Sequence, residues 1–451
     1  MAVIGAADGE AKSEQRTPRS RGSTFSALRI YNYRVYWLGQ LVSVTGTFMQ
    51  TTAQQWLVLS LSQNNPLAVG LVGTFQFGPL LLLAPFTGVI GDRLPRRKLL
   101  MATQSISGVL ALALWTLTAL HVVQLWHVYG LALLLGIVNA VDMPVRQAFV
   151  SDMVPGDSIL NAVSLNSAQF NVSRILGPTI AGILIAAFGI PNLFLINALS
   201  YVAVVGGLFM MHPNELFSIR AAGGRTGSLR AMSEGMRFIW RTPKLAVLLL
   251  MVAVVGTFGF NFNVLLPLQA KSVLHANSVV FGMLTSSLGI GALIGALLAA
   301  RRRGMPKTQT IIISAVIFGV AQALVVFAHP DLMYQLGLST THSNVVAVAL
   351  SILLIAVLGS GMSSFSTSAN SRTQLSTPPE MRGRVMSIYM MLFAGTTPIG
   401  NLAISASAAA WGVPAAWVVA GVPCLLVAGL AMWLWRLQSP AKAGETVSAA
   451  A

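Results

Sequence analysis

The densest cluster of chemically able side chains runs from Gly88 to Lys98 and reads Gly-Val-Ile-Gly-Asp-Arg-Leu-Pro-Arg-Arg-Lys. It places the carboxylate Asp92 among the bases Arg93, Arg96, Arg97 and Lys98, directly after an apolar run. An ionised carboxylate at the end of an apolar helix is costly unless an arginine or a helix N-terminus stands beside it. A second cluster, Asn139-Ala-Val-Asp142-Met-Pro144-Val-Arg146-Gln147, puts an acid inside another apolar run with a base one helical turn later. Asp142 has two readings. It can act as a titrating group with Arg174 of the next apolar run as partner, or it can pair with Arg146 at i+4 and order the end of its own helix. A third pattern is neutral. Gln40, Ser43, Thr47, Gln50 and Gln54 recur at spacings of three and four, a polar stripe on one face of a helix.

The elements that position these groups are set by composition. Of 451 residues 55% are hydrophobic and 9% charged, and mean hydropathy is +0.73, outside the range of soluble globular domains. Runs of about twenty apolar residues are predicted near 36–61, 66–91, 99–120, 125–146, 162–189 and 191–211, then 245–271, 278–300, 309–328, 344–368, 385–410 and 414–436. The fold class is therefore all-α integral membrane, with twelve transmembrane helices in two six-helix bundles. The organisation is an N-terminal tail (1–35), a first bundle (36–211), a linker (212–244) rich in glycine and arginine, a second bundle (245–437) and a C-terminal tail (438–451).

The formal charge of +16 bears on topology and not on nucleic acid. Counting Arg146 and Arg174 with the adjoining connections, 27 of the 28 Lys and Arg residues fall on one side of the predicted bundle, leaving Lys271 on the other. Because Lys and Arg near span ends stay cytoplasmic, both termini are expected in the cytoplasm. The first 35 residues have no apolar core or cleavage site, so no removed leader is expected. A single cysteine, Cys424, excludes an intramolecular disulfide and a cysteine-built metal site. No cofactor or metal is expected.

The loop Gly88, Asp92, Arg93, Arg96, Arg97 resembles, in register, the signature G-x-x-x-D-R-x-G-R-R between the second and third helices of the major facilitator superfamily, with Pro95 in place of the last glycine. Gly291 to Gly304 looks like a degenerate second copy without the acid, and Met143 to Gln147 is echoed by Asn370 to Gln374. The phrases Asn139 to Phe149, Val154-Pro155 and Arg382-Gly383-Arg384-Val-Met386 resemble the enterobactin-exporter-like, multidrug efflux branch. Gly177-Pro178-Thr-Ile-Ala181-Gly182 resembles the antiporter motif G-P-x-x-G-G, with Ala181 for a glycine.

These resemblances imply a secondary active transporter, by expectation a proton-coupled exporter of a siderophore or drug-like solute working by alternating access. They also imply a monomer in a bacterial inner (plasma) membrane, with a small-molecule substrate, protons and the bilayer as partners. Asp92 is then the gate residue, capping span eleven near Arg382 and Arg384. The solute cavity would draw on the stripe (Gln40, Ser43, Thr47, Gln50, Gln54) and on Trp56, Gln76, Asn139, Asn166, Gln169, Phe260, Asn261, Asn263, Ser363 and Ser364. Asp142 and Arg174 are the proton-coupling candidates. For each polar residue the competing account is hydrogen bonding between helices.

An uptake symporter or a uniporter is the alternative within transport. An ATP-driven pump is disfavoured by the lack of a G-x-x-x-x-G-K-[ST] loop. A membrane enzyme is disfavoured because no HExxH, GxSxG or paired intramembrane acids occur and the six histidines lie at span ends or loops.

Overall fold

The computed structural model describes residues 25–217, 228–301, 304–335 and 344–438, with backbone alone for 84–93, 228–231 and 437–438. The first bundle is built from α1 (Tyr31–Leu61), α2 (Pro66–Arg93), α3 (Arg96–Ala119), α4 (Leu125–Asp152), α5 (Ile159–Phe188) and α6 (Pro191–Met210). A linker helix α7 (Ser228–Trp240) follows. The second bundle contains α8 (Pro243–Val254), α9 (Phe262–Leu268), α10 (Ser278–Ala300), α11 (Thr308–Leu324), a short α12 (Pro330–Gln335), α13 (Asn344–Leu375), α14 (Pro379–Phe393), α15 (Thr397–Trp411) and α16 (Val413–Gln438).

Among the described residues, eleven segments are long and apolar enough to cross a bilayer. The first helix is not one of them, and its polar stripe is the reason. At 31 residues it is roughly 46 Å long at 1.5 Å per residue, enough to cross a bilayer, and it packs along α5 and α6. Two predicted spans are interrupted. The seventh is α8 and α9, joined through a π-helical turn at Val255–Gly259 and extended by a second at Gln269–Val273, and the eleventh is α14 and α15, broken at Ala394 to Thr396. The breaks lie side by side, with the Phe260 and Phe393 rings 5.0 Å apart and Gly256 against the Phe393 backbone carbonyl.

Helix ends follow local chemistry. Proline opens α6, α8 and α14, where the missing N–H costs nothing. The α10 N-cap Asn277 accepts from the Val280 N–H at 3.2 Å. The fifth helix and α15 both stop at a glycine with positive φ, Gly189 (78°) and Gly412 (85°), each followed two residues on by proline. This shared Gly-x-Pro corner repeats between the two bundles.

Burial is inverted relative to a water-soluble protein. Large apolar side chains such as Val202, Phe209, Leu353 and Leu426 point outward, while Asn197, Ser200, Gln322, Ser351, Asn401 and Ser405 are buried. Outward apolar surface of this kind suits lipid, where polar groups must find partners inside.

One end of the molecule is basic. Lys244, Thr308, Arg372 and Trp435 gather there around one cavity, and Arg96 and Arg97 lie at the matching end of the first bundle, near Asp152 and Phe209. Arg146 and Arg174, counted with the basic connections above, are inside α4 and α5 instead. Lys271 lies at the far end, donating to Ser60 Oγ at 2.9 Å.

Candidate functional site

The two bundles are joined at the far end. Gln55 Nε2 donates to Asn263 Oδ1 at 3.0 Å, and the Trp56 ring stacks on Phe281 at 5.6 Å with the Lys271 ammonium 5.2 Å from its centroid. Thr74 Oγ1 donates to the Pro398 carbonyl at 3.3 Å. Gly70 and Gly73 of α2 receive Ser405 and Asn401 of α15. Between α5 and α10, Ser278 Oγ donates to the Gly182 carbonyl at 3.0 Å, Thr179 meets Ser286 Oγ at 2.6 Å, and Ser286 reaches the Ile175 carbonyl at 2.8 Å.

Gly182 and Gly282 face each other across that seam, where backbones approach too closely for a side chain. The antiporter-like motif Gly177, Pro178, Gly182 therefore serves close contact. Gly177 packs on Phe48 of α1, while Pro178 and Gly182 pack on α10. Toward the basic end, no hydrogen bond, ion pair or ring contact among the described residues joins the bundles beyond the level of Ile175.

Beside this closure lies a narrow cavity, with room for about one water, lined by Thr51, Gln54, Gln55, Val58, Val69, Val72, Gly73, Gln76 and Asn263. It gathers Gln54, Gln76 and Asn263 of the predicted set. It also adds Thr51 and Gln55, which lie about 60° and about 100° around α1 from the centre of the stripe and were missed because the sequence pattern followed the stripe alone.

The rest of the stripe turns into its own bundle. Gln40 Oε1 accepts from Arg146 Nη1 at 2.9 Å, and Gln50 Oε1 accepts from Asn197 Nδ2 of α6 at 2.6 Å. Thr47 lies 3.5 Å from the Tyr201 hydroxyl, and Ser43 is buried. Asn166 accepts from Tyr33 Oη at 3.1 Å. Gln169 is buried with its carbonyl oxygen unpartnered. Trp56 stands in the far-end closure, stacked on Phe281.

Phe260 packs among Phe262, Phe318 and Phe393 at the paired helix breaks. Asn261 donates to the Thr257 and Phe258 carbonyls at 2.7 and 2.9 Å, and its Oδ1 is buried without a donor. Ser364 donates to the Gly295 carbonyl at 3.1 Å, while Ser363 and Asn139 are half-buried.

Asp142 is buried and accepts from Thr103 Oγ1 at 2.6 Å, Gln104 Nε2 at 2.8 Å and Arg146 Nε at 2.9 Å, with Arg146 Nη2 closing an ion pair. Four donors converge on one carboxylate. Its partner is Arg146, not Arg174. The Arg174 guanidinium donates to Asn171 Oδ1 at 2.9 Å and lies 6.0 Å from the Phe170 centroid. Of the two readings of Asp142 the i+4 pair with Arg146 is the one present, and Arg174 does not meet the carboxylate because the two side chains leave their helices toward different neighbours.

The side chains of Gly88, Asp92 and Arg93 lie outside the described residues. Their companions are placed. Arg96 Nη1 bonds both Asp152 oxygens at 2.7 and 3.0 Å, tying α3 to the end of α4. Arg97 donates to the Leu208 and Phe209 carbonyls at 2.6 and 2.9 Å, a cation on the C-terminus of α6. Arg382 Nε donates to the Gln374 carbonyl at 3.1 Å, and Arg384 pairs with Glu234 of the linker helix at 2.8 Å. No group of metal-binding side chains occurs among the described residues.

Comparison with known proteins agrees with this architecture. Residues 22–450 match the family described as transmembrane secretion effector. The chain is 26% identical to a staphyloferrin A transporter of Staphylococcus aureus (strain NCTC 8325 / PS 47), over 85% of this chain and 91% of that protein. It is 27% identical to the multidrug efflux pump Tap of Mycolicibacterium fortuitum (88% and 94%). It is 22% identical to macrolide efflux protein A of Streptococcus pyogenes (81% and 86%).

Among solved structures, a bacterial homologue of the iron transporter ferroportin in an inward-facing state superposes with a TM-score of 0.68 at 16% identity, covering 90% of this chain and 98% of that one. The nucleoside transporter NupG gives 0.68 at 12% identity (90% and 99%). The chain belongs to the major facilitator superfamily, in its transmembrane secretion effector family, and is a membrane transporter rather than an enzyme.

Proposed function

We propose that this protein is a secondary active exporter of a small amphipathic organic solute, siderophore or drug-like, that works by alternating access between bundles spanning residues 36–211 and 245–437. In this reading the basic end and both termini face the cytoplasm of a bacterial cell and the monomer is the working unit. The carrying observation is the one-sided closure. Among the described residues, hydrogen bonds between the bundles run from the far end to mid-depth and none is found toward the basic end, as a solute-receptive state open to the cytoplasm requires. Two of the relatives above are named for efflux, which supports the export direction.

The closed-inward counterpart would recruit Asp92. Arg384 is held by Glu234 here, and exchanging that partner for Asp92 would latch span eleven when the basic end shuts. Coupling would run through Asp142. Protonating it removes the charge that Arg146 neutralises and frees the guanidinium, which is part-exposed at 29%. The cage of four donors favours a second account, in which the pair is a permanent brace between α1, α3 and α4.

Vesicles of defined orientation test both. In inside-out vesicles an imposed proton gradient, acidic inside, is expected to drive accumulation of a fluorescent solute, and Asp142→Asn is expected to abolish the gradient dependence while passive exchange persists. Gradient-driven accumulation that survives Asp142→Asn assigns the pair to bracing. Absence of any gradient effect in the parent rejects proton coupling.

A further inference from the structure

The arginine in the middle of α5 has no role in the closure or in the Asp142 cage. Residue 174 is fifteen positions past Ile159 in a 30-residue helix, roughly 22 Å along the axis, and therefore near mid-depth. Among the described residues no carboxylate pairs with it. One of its five N–H donors is satisfied by Asn171, and its Nε is buried without an acceptor. Uncompensated cations within transmembrane helices are costly and mark solute or ion pathways.

The helix face settles where it points. Val172, Leu176, Ile180 and Ile183 form an exposed, wholly apolar stripe at spacings of three and four, the lipid face of α5. Ser167, Phe170, Asn171 and Arg174 centre about 180° away around the helix, between the faces that pack on α1 (Ser173, Gly177) and on α10 (Ile175, Gly182). That direction is the hollow between the bundles. Phe170 is 51% exposed there and packs edge-on against Phe48 of α1 at 5.4 Å. A bidentate cation thus stands beside an open aromatic face.

We propose that Arg174 is the anion-recognition point of the transported solute, which carries a carboxylate or comparable anion attached to an aromatic or apolar body. The anion takes the spare guanidinium donors and the body lies on Phe170 and Phe48. A phospholipid headgroup offers the same charge but sits at the interface, not at mid-depth. This inference rests on the export reading for the solute's passage, but the binding it describes is measurable without transport.

The test uses the full-length protein in lipid nanodiscs and compares binding of naphthylacetate with that of neutral naphthylacetamide. The acid is expected to bind about tenfold tighter or more, as charge-assisted hydrogen bonds do. Arg174→Gln is expected to bring the pair within about threefold by lowering only the acid's affinity, and Arg174→Lys to retain part of the preference. Each variant is first checked for monodisperse elution. If Arg174→Gln does not fold, the parent and Arg174→Lys decide.

Equal affinities in the parent, no saturable binding of the acid, or parallel weakening of both probes overturns the proposal. So does loss of acid binding when phosphatidylglycerol is added to the nanodisc, which assigns the site to lipid. A failed proton-gradient assay with an intact acid preference sinks the export reading alone.

Discussion

Replacing Gly182 or Gly282 with alanine is expected to open the far end. A methyl at Gly182 would lie 2.5 Å from the Ser278 carbonyl oxygen and 3.1 Å from the Val279 Cα, and one at Gly282 would lie 2.5 Å from the Pro178 carbonyl oxygen. Both obstacles are backbone, so no side chain can rotate out of the way. Overpacking of this order costs about 1–3 kcal/mol, charged only to the state in which α5 and α10 touch. The far-open state avoids it. The ratio of far-open to far-closed molecules should therefore rise about 5- to 150-fold.

The native background suits a thiol assay, since Cys424 is the only cysteine and is buried. A reporter Thr51→Cys at the cavity beside the closure should react with an impermeant maleimide added from the far side at a rate that follows the open fraction. Gly130→Ala serves as control, because nothing lies within 4 Å of its added methyl. Unchanged or slower labelling of folded Gly182→Ala and Gly282→Ala, relative to the control, would refute the reasoning that this seam holds the far end shut.

Three further outcomes follow from the contacts. Asp142→Asn leaves the Arg146 guanidinium without its counter-charge and should lower stability by about 3 kcal/mol, read as a fall in thermal unfolding temperature. Adding Arg146→Gln should recover part of the loss, a coupling of about 0.5–3 kcal/mol. Gln269→Leu strips the Trp417 indole N–H and the Ala328 carbonyl of buried partners at 2.9 and 3.1 Å, costing about 1–3 kcal/mol for each orphaned group in the same assay. The Glu234–Arg384 pair at 2.8 Å predicts that Glu234→Arg loosens the linker helix from α14, seen as faster proteolysis of the linker, and that adding Arg384→Glu restores protection.

Much of the architecture was legible because lipid imposes a length and a polarity on each crossing. The predicted run 278–300 coincides with α10 (Ser278–Ala300), and 191–211 ends one residue beyond α6 (Pro191–Met210). The interruptions of spans seven and eleven were not legible. Both lie within continuous apolar sequence, and only the packing of Gly256 and Gly400 against the partner backbone shows why regular helix gives way there.

The sequence by itself determined the membrane class, the number of crossings, the basic end and the loop motif that carries the family. Each depends on residue type and spacing along the chain, and survives whatever the neighbours do. Only the tertiary structure decided which way polar faces turn. Periodicity placed Gln40, Ser43, Thr47, Gln50 and Gln54 on one face, but the close approach of α6 at Gly39 and Gly46 drew most of that face inward and left Gln54, with Gln55 and Thr51, to the cavity. The same rule separated Asp142 from Arg174 and turned the arginine toward the hollow. A helix's rotation about its own axis is fixed by the helices around it, and one helix's pattern does not contain them.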